Sequence, residues 1–177
     1  MRLFTAIDIP TDIRVRLTAM LDQLRPLATL QWTAPEKLHI TTTFVGEWPE
    51  ARLDELHAAL TQVKRDPFPI SVQGLHWMNK RVLCAGIQES PALTSLASST
   101  SAALGALGVP MEDRDYHPHL TLARRRHSGR LPQLDQALTQ LSSSDFGTFP
   151  ATKFALFLSH GGKYTQIKEY ALESCAT

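Results

Sequence analysis

The chain has 177 residues, 43% of them hydrophobic and 20% charged, with a formal net charge of +1. A chain of this length buries roughly 70% of its unfolded surface without staples, and this composition belongs to a globular protein rather than a disordered or fibrous one. The near-neutral balance excludes a nucleic-acid coat protein, and Cys84 and Cys175 lack the spacing of a disulfide framework or a zinc site.

The first segment, Leu3 to Ile9, reads as a central strand that Pro10-Thr11-Asp12 ends. It is too short for a signal-peptide core, and no apolar run approaches the roughly 20 residues of a membrane span, so a cytoplasmic protein without membrane contact is expected. Ile13, Leu17, Met20, Leu21, Leu24 and Leu27 recur at helical spacing, with Arg14, Arg16, Asp22 and Arg25 on the solvated face. Leu30 to Pro35 is an extended approach to a strand over Leu38 to Val45, closed by Gly46. A second helix begins near Glu50, with Leu53, Leu56, Leu60 and Val63 as its stripe, and Asp66-Pro67 breaks it. Phe68 to Trp77 and Val82 to Ile87 form a hairpin around Met78-Asn79-Lys80. Pro91 opens a third helix striped by Leu93, Leu96, Ala97, Thr100, Leu104 and Leu107. The segment Arg114 to Arg126 follows, then a short helix through Leu134, Leu138 and Leu141. Two final strands, Phe149 to Ser159 and Tyr164 to Leu172, turn at Gly161-Gly162.

This order, β-α-β-α-β-β-α-β-α-β-β, predicts an α+β fold. Residues 1–177 form a single domain of two pseudo-symmetric lobes, dividing near residue 90, with antiparallel or mixed sheets facing a central cleft and helices outside. Each half carries one strand with the pattern His-x-Thr: His39-Ile40-Thr41 and His119-Leu120-Thr121, 80 residues apart. In a strand, side chains two apart share a face, so each His points the same way as its Thr. The two strands are expected to face each other across one cleft. Histidine titrates near neutrality, so one neutral and one protonated imidazole serve as base and acid in the same turnover. Two hydroxyls between them suit the non-bridging oxygens of a phosphate, with neither a metal nor a nucleophilic side chain required. From Arg114 to Arg130, five arginines (Arg114, Arg124, Arg125, Arg126 and Arg130) meet one acid, Asp115, and this locally positive patch suits a phosphate-bearing substrate.

The paired motifs, His39-x-Thr41-x-x-Phe44 and His119-x-Thr121-Leu122-x-Arg124, resemble those of the two-histidine phosphoesterases. Among these they are most similar to the RNA 2′,3′-cyclic phosphodiesterases, also called 2′-5′ RNA ligases. The resemblance extends to the opening strand, Trp32, Pro118-His119 and Gly162-x-Tyr164, and so covers essentially the whole chain. It implies a bilobal fold and metal-independent hydrolysis of a terminal 2′,3′-cyclic phosphate on RNA to a 2′-phosphate, by a monomer without cofactor. It also implies His39 as proton donor, His119 as proton acceptor, Thr41 and Thr121 on the phosphate, Arg124 near it, and ATP-independent 2′-5′ joining as the reverse reaction.

Other residues are weighed beside these. Arg124 lies five positions after His119, on the wrong face of a regular strand, so it requires a bulge or a reach around the strand end. Phe44 has the same offset from His39 and is read as core under a helix. Arg125, Arg126 and Tyr164 are possible RNA contacts. His57, His76, His127 and His160 are read as structural or solvated, and Trp32, Trp48 and Trp77 as packing. Asp113, Asp115, His117 and His119 alternate in phase and form an alternative metal set, for a metal-dependent phosphohydrolase. A non-catalytic RNA-binding module using the arginine patch is the third reading.

Overall fold

A computed structural model describes residues 1–111, 115–126 and 129–173. Asp113, Arg114, His127 and Cys175 therefore lie outside the described residues. Nine strands occur among those described: β1 (Arg2–Asp8), β2 (Gln31–Trp32), β3 (His39–Glu47), β4 (Phe68–Met78), β5 (Val82–Ile87), β6 (His119–Arg124), β7 (Asp145–Ala151), β8 (Lys153–His160) and β9 (Lys163–Ala171). The α-helices are α1 (Thr11–Leu24), α2 (Leu53–Thr61), α3 (Pro91–Gly105) and α4 (Pro132–Gln140).

The fold is α+β, and its strand pairs are antiparallel. The strands run in the order β7-β4-β5-β6-β3-β1-β8-β9, curled into a half-barrel, with β2 paired to the end of β6. Two four-stranded halves meet at β6 and β3 through a single ladder pair, Ile40 with Leu120. The motif strands are thus neighbours within one sheet rather than opposing walls. The halves of the sheet are also not the halves of the sequence on either side of residue 90. The β4–β5 hairpin hydrogen-bonds with β6, and β8 returns to the free side of β1.

One face of the sheet carries the helices. Leu3, Ile40, Leu83 and Leu120 are buried with Leu17 of α1, Leu56 of α2, Leu96 of α3 and Leu134 of α4 in one core spanning both halves. The Ser90 hydroxyl caps α3 by accepting from the Leu93 N–H at 3.3 Å, with Pro91 in its first turn. The tight turns use the left-handed region that strand twist demands. Asn79 and Lys80 take φ of 50° and 56°, and Gly161 and Gly162 take 56° and 73°.

Two expectations need correcting. The strand expected over Phe149 to Ser159 is two strands in different halves of the sheet: β7 pairs β4, β8 pairs β1, and Thr152 separates them. Pro150 lacks an N–H, which is tolerated because β7 is an edge strand. The approach segment contains a short strand, with Gln31 opposite Arg124 and Trp32 opposite Ala123. Two residues are too few to show a period.

Candidate active site

β3 and β6 run side by side with Ile40 opposite Leu120, and both of these side chains are buried against the helices. Extending that register by one residue each way sets His39 beside Thr121 and Thr41 beside His119, all on the opposite, open face. The sequence pairing is therefore realised as a four-residue square on neighbouring strands. A similar backbone contact fixes each imidazole. The Nδ1–H of His39 donates to the Lys37 carbonyl at 2.6 Å, and the Nδ1–H of His119 to the His117 carbonyl at 2.8 Å. Both carbonyls lie two residues back, and both bonds commit Nδ1, which assigns the chemistry to Nε2. Nε2 of His39 lies 3.0 Å from the Thr41 hydroxyl, which donates to it when the ring is neutral.

Burial pushes the His39 imidazole below its ordinary value. The Lys37 carbonyl and Asp8 act against that shift, while His119 and Arg14 add to it. His39 is thus neutral at pH 7, and an anion placed beside it would favour the protonated form. Tyr116 bridges the two motif strands by donating its hydroxyl to the Thr41 carbonyl at 2.8 Å, and burial pushes its phenol up. This bond holds β3 to the segment entering β6 where the ladder itself is a single pair.

Two bulges decide which further side chains reach the open face. Against β1, Thr43 is opposite Thr5 while Thr41 is opposite Ala6, so Thr42 is the extra residue. Against β5, Ala123 is opposite Leu83 while Thr121 is opposite Cys84, so Leu122 is the extra residue. Each bulge sits three positions after its histidine and reverses the alternation beyond it. Arg124 thereby rejoins the face of His119, and Phe44 rejoins the face of His39. Consistent with this, the Arg124 charge acts on the Cys84 thiol, the cross-strand neighbour of Thr121. Phe44 is 52% exposed and lies 6.4 Å from the Phe4 ring, so it is not core under a helix as expected. Hydroxyls hold the first bulge: Thr42 with Thr5 at 2.7 Å, and Thr43 with Thr100 of α3 at 2.7 Å.

An aromatic wall adjoins His39. Its ring is 4.9 Å from Phe4 and 5.3 Å from Tyr164, and Phe4 stacks on Phe157 at 5.3 Å. Tyr164 is 40% exposed, and the Lys37 ammonium lies 5.8 Å from its ring centre. Arg125 is not brought to this face. Its guanidinium lies 5.5 Å from the Trp77 ring, whose indole N–H donates to Asp135 of α4. Arg126 is exposed beyond the end of β6. His57 is tied to the Tyr170 hydroxyl at 2.6 Å and is structural. Asp115 and His117 are exposed, and among the described residues no group of three or more His, Cys, Asp or Glu is arranged to hold a metal ion. Two hollows, of about 350 and 280 Å³, lie along α4 and at the start of α3, and none of the predicted site residues lines them.

Arg14 was missed by the sequence reading, which put it on a solvated helix face. Its guanidinium donates to the Pro35 carbonyl, to Asp8 at 2.6 Å and to the Ile9 carbonyl at 3.1 Å, and reaches the Leu38 carbonyl at 3.4 Å. It clamps the 3₁₀ turn Pro35–Lys37, whose last carbonyl orients His39. Asp8 is itself the cross-strand neighbour of His39.

The profile of the 2′-5′ RNA ligase superfamily matches residues 10–163. The chain belongs to this superfamily. The resemblance read from the twin motifs names the same group. Among individual superfamily members, the RNA 2′,3′-cyclic phosphodiesterase of Archaeoglobus fulgidus is 33% identical over 160 residues, covering 88% of this chain and 89% of the relative. A solved structure from Thermus thermophilus is similar with a TM-score of 0.79 and 29% identity, over 98% of this chain and 99% of that one. Escherichia coli LigT complexed with 3′-AMP gives a TM-score of 0.79 at 25% identity, over 97% of each chain. In this superfamily member, the open face between the His-x-Thr strands is the surface where all the predicted phosphate-binding side chains converge. No helix among the described residues is long and apolar enough to cross a membrane.

Proposed function

We propose that the chain is an RNA 2′,3′-cyclic phosphodiesterase that opens a terminal cyclic phosphate to a 2′-phosphomonoester by paired histidine catalysis without a metal. The observation that carries this reading is the square His39, Thr41, His119 and Thr121 on one face, with both imidazoles held through Nδ1 by the carbonyl two residues back. Water attacks phosphorus as His119 Nε2 takes its proton. The P–O3′ bond breaks as protonated His39 gives its Nε2 proton to O3′, leaving a 3′-hydroxyl. Thr41, Thr121 and Arg124 bind the non-bridging oxygens, where charge builds in the transition state. The same residues in the same roles give 2′-5′ joining when a 5′-hydroxyl attacks phosphorus in place of water and O3′ leaves.

His39 is neutral in the free enzyme, so its proton arrives with or after the anionic substrate. Tyr164 and Phe44 offer exposed ring faces to the terminal base, a means by which single-stranded RNA is held. A continuous core through both halves of the sheet supports one catalytic unit over residues 1–177.

The test is hydrolysis of an oligonucleotide ending in a 2′,3′-cyclic phosphate by wild type, His39→Ala and His119→Ala. Each substitution should lower kcat by about 10²–10⁴ with folding unchanged. Near-normal turnover by either variant would overturn the reading.

A further inference from the structure

Beyond His119, on the side away from the aromatic wall, the open face continues over β5 and β4. The register there is direct. Gly86 of β5 is opposite His119 and, on its other side, opposite Gln73 of β4; Cys84 is opposite Thr121 and, on its other side, opposite His76. His76 therefore shares the face of the catalytic square. A Cβ built on Gly86 would meet the Gln73 carbonyl oxygen at 2.7 Å, so the close approach of β4 requires glycine there, and it would stand 3.5 Å from Cε1 and 3.6 Å from Nδ1 of His76, which places this imidazole beside Gly86 on the open face. The ring is exposed and makes no hydrogen bond to a described residue. Cys84 beneath it is fully buried, and burial pushes its thiol up to about 12, so it is floor rather than reactant. The result is an exposed, unbonded imidazole on the open face two strands, or about 10 Å, from β6.

An RNA chain ending in a cyclic phosphate continues in one direction only, from the 5′ oxygen of its last ribose to the preceding phosphodiester. With the cyclic phosphate in the square and the terminal base against Phe44 and Tyr164 on the β1 side, the open face over β5 and β4 is the path that remains on the other side of His119. On the reading given above, we propose that His76 forms a subsite for the phosphodiester preceding the terminal nucleotide, donating an imidazole N–H to a non-bridging oxygen. The subsite would make the enzyme prefer RNA ends over cyclic mononucleotides.

The experiment compares a 2′,3′-cyclic mononucleotide with a dinucleotide ending in a 2′,3′-cyclic phosphate, for wild type, His76→Ala and His76→Gln. His76→Ala should raise KM for the dinucleotide about tenfold at unchanged kcat and leave the mononucleotide constants alone, the size of one lost hydrogen bond to a charged group. His76→Gln, which keeps an N–H donor, should recover part of the loss. A dinucleotide with a neutral methylphosphonate linkage should bind wild type as weakly as the ordinary dinucleotide binds His76→Ala, with no further loss in the variant. Equal effects on both natural substrates, or none on either, would overturn the subsite while leaving the catalytic reading standing. Failure of wild type to open either cyclic phosphate would overturn both.

Discussion

Arg14→Met removes the clamp behind His39 while keeping a side chain of similar reach. The guanidinium is 21% exposed, and its strongest bonds go to the Pro35 and Ile9 carbonyls and to Asp8. Asp8 is 56% exposed and can rehydrate, so that ion pair contributes at most about 1 kcal/mol. The carbonyl bonds are charge-assisted and half-buried, which brings the expected total to about 2–3 kcal/mol of stability. The larger consequence is for catalysis. The turn that Arg14 holds presents the Lys37 carbonyl to His39 Nδ1 at 2.6 Å, and a displacement of about 1 Å in a catalytic group costs up to about 10² in rate. Urea unfolding gives the stability, and steady-state hydrolysis of a 2′,3′-cyclic phosphate gives the rate. The expected outcome is a kcat lowered about 10–100-fold with KM little changed. Arg14→Lys should lie between the two, because an ammonium keeps the charge but not the planar fork. A destabilised Arg14→Met enzyme with full kcat would refute the reasoning, since the turn would then hold His39 unaided.

Because the folded His39 pKa lies below its unfolded value, the unfolded state binds more protons as the medium acidifies. Stability should be fully present above about pH 6.5 and fall as the pH drops from there towards the folded value; His39→Asn should flatten that slope, and an unchanged slope would contradict the burial argument. Asp8 raises the His39 pKa and Arg14 lowers it, so Asp8→Asn should move the basic limb of the kcat/KM profile to lower pH and Arg14→Met to higher pH. Movement of the acidic limb instead would make His39 the base. Tyr116→Phe loses the bond to the Thr41 carbonyl and should cost about 1 kcal/mol in urea unfolding; no loss would show that the β3–β6 junction does not rely on it. Thr42→Val leaves the Thr5 hydroxyl only its 3.3 Å contact with the Thr43 carbonyl and should destabilise by about 1 kcal/mol, measurable in the same way.

The grouping of His39, Thr41, His119 and Thr121 on one face was legible in the sequence because its signal is local: a period of two, written twice, with a titratable group and a hydroxyl in phase. The residues around it were not, because they depend on register between strands distant in sequence. Arg124 and Phe44 share an offset of five from their histidines, and that shared offset was the one available hint of a common bulge. Only the pairing of Thr5 with Thr43 and of Leu83 with Ala123 locates the extra residues. Arg14 escaped notice because two of its acceptors are backbone carbonyls 21 and 24 residues downstream, which leave no mark on composition or spacing. His76 was read as structural or solvated, and only two successive ladders set it across Cys84 from Thr121. The helices were read closely because their stripes are long, whereas the run from Asp145 to His160 was read as fewer strands than it holds: the break at Thr152 is a change of partner, not a change of pattern.

The central claim is that two imidazoles, oriented alike on neighbouring strands, open a cyclic phosphate by delivering a proton to O3′ without a metal. The most direct measurement is phosphorus NMR of the product formed from a 2′,3′-cyclic-ended oligonucleotide in EDTA. The account predicts full turnover to a 2′-phosphate with a free 3′-hydroxyl. A 3′-phosphate product, or turnover that returns only when a divalent metal is restored, would contradict it.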